Sequence, residues 1–162
     1  MTASPDGVQL RRAVAADAAA VAALTREAYA RWIPVTGREP KPMGADYQAA
    51  IANHRIDLAY LAGELAGLIE TIAQADHLLV ENVAVAPAHQ GRGLGRQLMA
   101  HGEWLAGSLG YREIRLYTNK LFAGNVQLYL GLGYRLDREE HMNGGIAVHM
   151  SKPLVPRQRP TD

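Results

Sequence analysis

Cysteine is absent from all 162 residues. That removes disulfides, thiolate metal sites and cysteine nucleophiles together, and it suits a reducing compartment. Charge of one sign is lacking as well: 17 Lys and Arg face 16 Asp and Glu, for a formal net charge of +1. No global field therefore recruits nucleic acid or an anionic membrane surface, and neither is expected as a partner. No apolar run approaches the ~20 residues of a membrane span. Met1 to Arg12 lacks the apolar core of a signal peptide, so a cytoplasmic location is the expectation. Repeats, low-complexity tracts and linkers are missing too. The chain is expected to form one domain over residues 1–152, with a flexible tail over 153–162 that holds three prolines and no periodicity. The six histidines, at 54, 77, 89, 101, 141 and 149, form no H-E-x-x-H or comparable pair. No metal is expected.

What is present is ordinary for a globular domain, with 48% apolar and 20% charged residues. A chain of this size buries roughly two-thirds of its unfolded surface and needs no staples. Val8 to Val14 reads as a first strand. Asp17 is placed to cap a helix running to about Arg31, with Ala18, Val21, Leu24/Thr25 and Ala28 on one stripe. Pro34, Gly37, Pro40 and Pro42 predict a long loop, followed by a short helix over Ala45 to Arg55. Leu58–Ala62, Ala66–Ala73 and Leu78–Val85 predict strands, joined by turns at Gly63-Glu64 and Ala75-Asp76-His77. A helix over Leu94–Leu109 stops at Gly110, a strand covers Glu113–Thr118, and a short helix covers Gly124–Leu132. Tyr134–Arg138 and Ile146–Met150 close as strands around a turn near Asn143-Gly144-Gly145. The order β-α-α-β-β-β-α-β-α-β-β is an α/β pattern of the mixed, α+β-like kind, without strict βαβ alternation.

Chemistry concentrates where the strand ending Glu81-Asn82-Val83-Ala84-Val85 runs into Ala86-Pro87-Ala88-His89-Gln90-Gly91-Arg92-Gly93-Leu94-Gly95-Arg96. A glycine-rich turn opening a helix aims free backbone N–H groups and the positive helix end at one spot. Arg92 and Arg96 add charge, and no acid lies between Pro87 and Leu98. These residues make a phosphate or pyrophosphate cradle. The plainer alternative, a glycine turn with solvated arginines, leaves the register of strand, turn and helix without a purpose. A P-loop would need Gly-Lys-Ser/Thr where this chain has Gly95-Arg96-Gln97. A dinucleotide fingerprint would need an acid after the next strand, which instead ends Tyr117-Thr118-Asn119.

Gln90-Gly91-Arg92-Gly93-Leu94-Gly95 is similar to the acetyl-CoA motif [R/Q]-x-x-G-x-[G/A] of the GNAT superfamily of N-acetyltransferases. Asn125-Val126-Gln127-Leu128-Tyr129, continuing to Gly133-Tyr134, resembles that family's second conserved region, with Asn and Tyr on one helix. The two motifs stand in the family's order, and the resemblance covers most of the chain. It implies a central mixed, mostly antiparallel sheet of about seven strands flanked by about four helices. It implies that the backbone of Val83, Ala84 and Val85 pairs with the pantetheine arm, and that the amides of Gln90, Gly91, Arg92, Gly93, Leu94, Gly95 and Arg96 hold the pyrophosphate. Asn125 would bind the arm and Tyr129 would protonate the departing thiolate. The alternative reading of Tyr129 is a core aromatic that fills space beside Leu130 and Leu132.

The expected activity is transfer of acetyl from acetyl-CoA, the donor substrate, to a primary amine. Direct attack in a ternary complex is expected, because cysteine is absent and Gly107-Ser108-Leu109-Gly110 is not a nucleophile elbow. An alkyl ammonium ionises near ~10, so a base is needed. Glu81 is the first candidate, an exposed strand glutamate being the alternative, with His54 and Glu70 next. The resemblance places the acceptor among the first two helices, their loop and the last hairpin, here Tyr29, Trp32, Tyr47, Tyr117, Asn119 and the 139–145 turn. A small-molecule amine and a protein amine are both open, and a homodimer is compatible. The competing reading is a non-catalytic acyl-CoA-binding sensor of the same fold.

Overall fold

The computed structural model of the chain describes residues 2–3, 7–142 and 144–156. By backbone proximity the chain divides into two compact units, Met1–Thr71 with Asn82–Met99, and Ile72–Glu81 with Ala100–Asp162.

In the first unit β1 (Thr2–Ala3), β2 (Val8–Arg12), β3 (Arg55–Leu61) and β4 (Glu64–Ala73) pair in that order, each antiparallel to the next. The β3–β4 turn is Ala62-Gly63, one residue before the expected pair. Both residues have positive φ, 51° and 78°, as the tight hairpin turn matching strand twist requires. Helix α1 (Ala18–Tyr29) buries the stripe Ala18, Val21, Leu24, Thr25 and Ala28 that its spacing predicts. Thr25 is tolerated there because its hydroxyl donates to the Val21 carbonyl at 2.9 Å. Asp17 does not cap forward. Its carboxylate turns back to accept from the Val14 N–H (2.7 Å) and from Arg11 (2.7 and 2.8 Å), and the guanidinium above all holds its carboxyl down at about 2.

The proline-rich stretch expected as loop is instead a chain of short helical turns: a 3₁₀ turn at Ala30–Trp32, α2 (Ile33–Thr36) and a 3₁₀ turn at Lys41–Gly44. Pro34 and Pro42 occupy first-turn positions, where a missing N–H removes no helical bond and the fixed φ is already helical. Gly37, at φ 75°, ends α2. Helix α3 (Tyr47–Asn53) starts where the Asp46 carboxylate accepts from the Ala49 N–H at 3.1 Å. The core joins Val21, Leu24 and Ala28 of α1 and Tyr47 of α3 to Ile56, Leu58 and Leu68 of the strands.

Strand β5 (Leu78–Val85) contributes to both units, as do β4, through its last two residues, and helix α4 (Leu94–Ser108). In the second unit β6 (Glu113–Asn119) runs parallel to β5 over Leu78–Val80. Helix α5 (Ala123–Gly131) precedes β7 (Arg135–Met142) and β8 (Gly145–Pro153). The strand order there is β5-β6-β8-β7, with β8 antiparallel to both neighbours. Leu78, Val80, Ile114, Leu116, Val148 and Met150 are buried. The expected mixed, mostly antiparallel α/β architecture is thus present, with α2 and β1 as additions. Leu154 still donates to the Arg112 carbonyl at 2.8 Å. Asn143 of the last turn and residues 157–162 of the expected tail lie outside the described residues. No helix among the described residues is long and apolar enough to cross a membrane.

Gly67, midway along β4, has a tightly specified neighbourhood. A Cβ there would meet the Ala84 carbonyl oxygen at 3.0 Å and the side chains of Leu94 and Leu98 at 3.2 Å each. The carbonyl is backbone and cannot swing away. Gly67→Ala is expected to cost about 1–3 kcal/mol, read as a lower melting temperature. An unchanged melting curve would show that the backbones there have room to part.

Candidate active site

In the first unit, β5 ends in a 3₁₀ turn at Pro87–His89, and α4 starts at Leu94. Between them Gly91 and Gly93 stand at φ 79° and 80°, the left-handed region that L side chains avoid. Space around both is open, so conformation and not crowding calls for glycine. Gln97 is the first residue of the helix whose N–H finds a backbone acceptor, the Gly93 carbonyl at 3.2 Å. Among the described residues the amides of 91–96 have none, and they stand beside the exposed Arg92 and Arg96. The amides of the predicted turn are therefore left without backbone partners among the described residues.

Gln90 faces the other way. Its Nε2 donates to the Val85 carbonyl at 3.0 Å, and its Oε1 accepts from Arg31 at 2.9 Å. Arg31 lies over the Trp32 ring at 4.8 Å, so a cation from the 3₁₀ turn that follows α1 reaches the glycine turn. Nothing in the local sequence around Arg31 signals this. The Val83 carbonyl accepts from the Tyr29 hydroxyl at 3.3 Å, and Ala84 is buried with its carbonyl against Gly67.

Tyr29 and Tyr47 meet at Asn82. The Tyr29 hydroxyl donates to Asn82 Oδ1 at 2.8 Å, Asn82 Nδ2 donates to the Tyr47 hydroxyl at 3.4 Å, and that hydroxyl donates to the Pro42 carbonyl at 2.6 Å. Both Tyr47 and Asn82 are 4% exposed. Asn82 was legible only through the two-residue period of β5, which sends it to the face opposite Glu81.

In the second unit Glu81 is partly buried, and the Tyr117 hydroxyl donates to both its oxygens at 3.2 and 3.3 Å. Glu81 differs from every other strand carboxylate among the described residues. Asp57, Glu64, Glu70, Glu113, Asp137, Glu139 and Glu140 each lie within ion-pair distance of a basic side chain, and Glu81 does not. Across β6, Tyr117 pairs directly with His149 of β8. Asn119, at the end of β6, uses its Oδ1 to accept from the Leu121 N–H at 2.9 Å and so shapes the turn into α5.

On α5, Asn125 is partly buried and Tyr129 is 8% exposed. The Tyr129 ring meets Tyr134 edge-on, centroids 6.0 Å apart. Tyr134 is itself anchored: its hydroxyl donates to Glu103 at 3.2 Å, and Lys152 donates to the same carboxylate at 2.6 Å. No described side chain hydrogen-bonds the Tyr129 hydroxyl, and burial alone pushes its phenol up to about 12.

Comparison with known proteins identifies the family. A family model described as "Acetyltransferase (GNAT) domain" matches residues 52–136, just over half of the chain. The streptothricin acetyltransferase of Streptomyces lavendulae is 32% identical over 100 residues, covering 56% of this chain and 53% of that protein. The chain thus spans about half the length of that relative. Among solved structures, the PaiA N-acetyltransferase of Thermoplasma acidophilum in complex with coenzyme A superposes with a TM-score of 0.76 at 16% identity, over 90% of this chain and 98% of that one. A nourseothricin acetyltransferase superposes with a TM-score of 0.70 at 25% identity, with the same coverages of 90% and 98%.

The buried phenol generates a pH prediction. An ordinary tyrosine ionises near ~10, so between that value and about 12 an unfolded chain releases a proton that native Tyr129 keeps. Its contribution to stability is complete below the lower value and is lost as the pH climbs through the higher one. In a spectrophotometric titration, the difference between wild type and Tyr129→Phe should stay flat until the pH nears 12. A difference step near ~10 would place the phenol in water.

Proposed function

The chain belongs to the GNAT acetyltransferase family, and on that premise we propose that it transfers acetyl from acetyl-CoA to the nitrogen of a primary amine, by direct attack with both substrates bound. The observation that carries the amine is Glu81, the one strand carboxylate among the described residues without a basic partner. A partly buried carboxylate held only by a neutral hydroxyl is costly unless a cation completes it. An ammonium supplies that cation. The names of the relatives, streptothricin acetyltransferase at 32% identity and mouse N-alpha-acetyltransferase 80 at 39%, span small-molecule and protein amines alike, so the proposal commits to a primary amine and no further.

The donor side rests on the turn. Six amides without backbone acceptors, the start of α4 and two exposed arginines suit the diphosphate of acetyl-CoA. The family resemblance assigns the pantetheine arm to the backbone of Val83, Ala84 and Val85 and to Asn125. A carbonyl has two lone pairs, so the bonds that Val83 and Val85 already accept from Tyr29 and Gln90 leave capacity for the arm.

The proton inventory follows from the reaction. An ammonium nitrogen carries three hydrogens and the product amide carries one, so two protons leave nitrogen. One of them ends on the coenzyme A sulfur and one in solvent. Glu81 takes a proton from the nitrogen, directly or through water. Tyr129 presents its O–H to the departing sulfur. A phenol that ionises near 12 is a firm donor and a reluctant acid, so Tyr129 acts more by stabilising charge on sulfur than by early proton transfer.

Gly93→Glu tests the donor half. It places a carboxylate among the amides, and coenzyme A affinity should fall at least about tenfold, about 1.4 kcal/mol. Gly93→Asn, which tolerates the same left-handed backbone without charge, should bind more tightly than the Glu variant. Wild-type affinity in a folded Gly93→Glu protein would remove the assignment. For the acceptor half, Glu81→Gln should lower kcat/KM for an active amine by about tenfold or more while coenzyme A affinity holds. Unchanged amine kinetics would make Glu81 a surface residue.

A further inference from the structure

Two protons must leave the acceptor nitrogen, and they differ greatly in acidity. The first comes from a free ammonium that ionises near ~10, and the second from a nitrogen already bonded to the acetyl carbon and much more acidic. A carboxylate suffices for the second. The first calls for a stronger base, closer to neutral in its own titration. Imidazole is the side chain of that kind.

We propose that His149, oriented by Glu140, is that base, a role that rests on the amine-acetylation reading above. His149 sits directly opposite Tyr117 in the β6–β8 pairing, with ring centroids 5.7 Å apart and planes tilted by 35°. Tyr117 in turn donates to Glu81 at 3.2 and 3.3 Å. Anchor, aromatic platform and imidazole therefore lie in a row across three neighbouring strands. On its far side His149 Nε2 is 2.7 Å from Glu140 Oε2, which also accepts from Arg138 at 3.3 Å.

That contact decides the tautomer. His149 first, then Arg138, holds the Glu140 carboxyl below the usual range, so Glu140 stays a carboxylate and can only accept. The neutral ring must then carry its hydrogen on Nε2, which leaves the lone pair on Nδ1. Among the described residues nothing hydrogen-bonds Nδ1. A base held by a second group that fixes its tautomer is the arrangement of an oriented general base. The charged and titratable groups facing this ring are Glu140 and Arg138 from β7 and Tyr117 from β6, with Glu81 beyond Tyr117 on β5.

The step balances. The bound ammonium gives one proton to Nδ1, and the freed lone pair forms the nitrogen–carbon bond at the thioester carbonyl. As the carbon–sulfur bond breaks, the second proton passes to Glu81 and from there, through solvent, to the sulfur, which Tyr129 hydrogen-bonds and which leaves as the thiol. His149 side-chain exposure of 23% lets the imidazolium return its proton to solvent. Ammonium and acetyl-CoA become amide, coenzyme A thiol and one proton.

The test is His149→Ala in the full chain, with thiol release followed against pH using an amine that the wild type acetylates. Expected is a loss in kcat/KM for the amine of about 10²-fold at neutral pH, shrinking as the pH approaches the amine's own ionisation, where no base is needed. Added imidazole should restore activity saturably, and coenzyme A affinity should match wild type. If the alanine variant melts early, His149→Gln replaces it, with the same pH dependence expected. A loss that is constant with pH and indifferent to imidazole, or no loss at all, overturns the proposal. Should that happen while Gly93→Glu and Glu81→Gln behave as expected, only His149's role falls. If the wild type releases thiol with no primary amine, the underlying reading fails as well.

Discussion

Strand β5 imposes the constraint on which the site depends: its side chains alternate strictly between the two faces. Leu78, Val80, Asn82 and Ala84 are buried, while Leu79, Glu81, Val83 and Val85 are partly exposed. A slip of one residue would put Glu81 into the core and take Asn82 away from Tyr29 and Tyr47. Such a slip is strongly opposed. It would bury an unpaired carboxylate and would strip hydrogen bonds from buried hydroxyls and an amide at once. The same strand runs on into the turn that holds Gly91 and Gly93.

Electrostatics sorts the carboxylates around that strand. Most strand acids among the described residues are tied to a basic neighbour close in sequence or across one strand, such as Arg138 with Glu140 and Arg135 with Asp137. Pairs of this kind, partly open to water, add little stability and chiefly settle local charge. Their value here is what they leave over. Among the described residues the strands present Glu81 with a hydroxyl and no cation, and Glu140 with a histidine it can orient. In the first unit the counterpart is positive: amides, Arg92 and Arg96, with Arg31 reaching the same turn through Gln90.

Helix and strand positions were legible because each rests on a local period. The α1 stripe, the buried alternation of β5 and the stop at Gly110 follow from side-chain direction and from a backbone that only glycine adopts cheaply. Where two local rules compete the sequence was ambiguous. The prolines of 34–42 satisfy both a loop and the start of a helical turn, and only the packed structure chose the second. Asp17 likewise could cap α1 or bind Arg11, and the bidentate guanidinium won.

The sequence by itself determined the turn from Gln90 to Arg96 and the order of elements, because glycine placement and hydrophobic period are properties of neighbouring residues. It also determined that no cysteine could carry the acyl group. Only the tertiary structure decided which side chains share a space. Arg31 with Gln90 are 59 positions apart, Tyr29 with Asn82 are 53, and Tyr117 with Glu81 are 36. His149 was one histidine of six until strand pairing set it against Tyr117 and within reach of Glu140. Pairings of that kind depend on strand order and register across the sheet, and no local spacing encodes them.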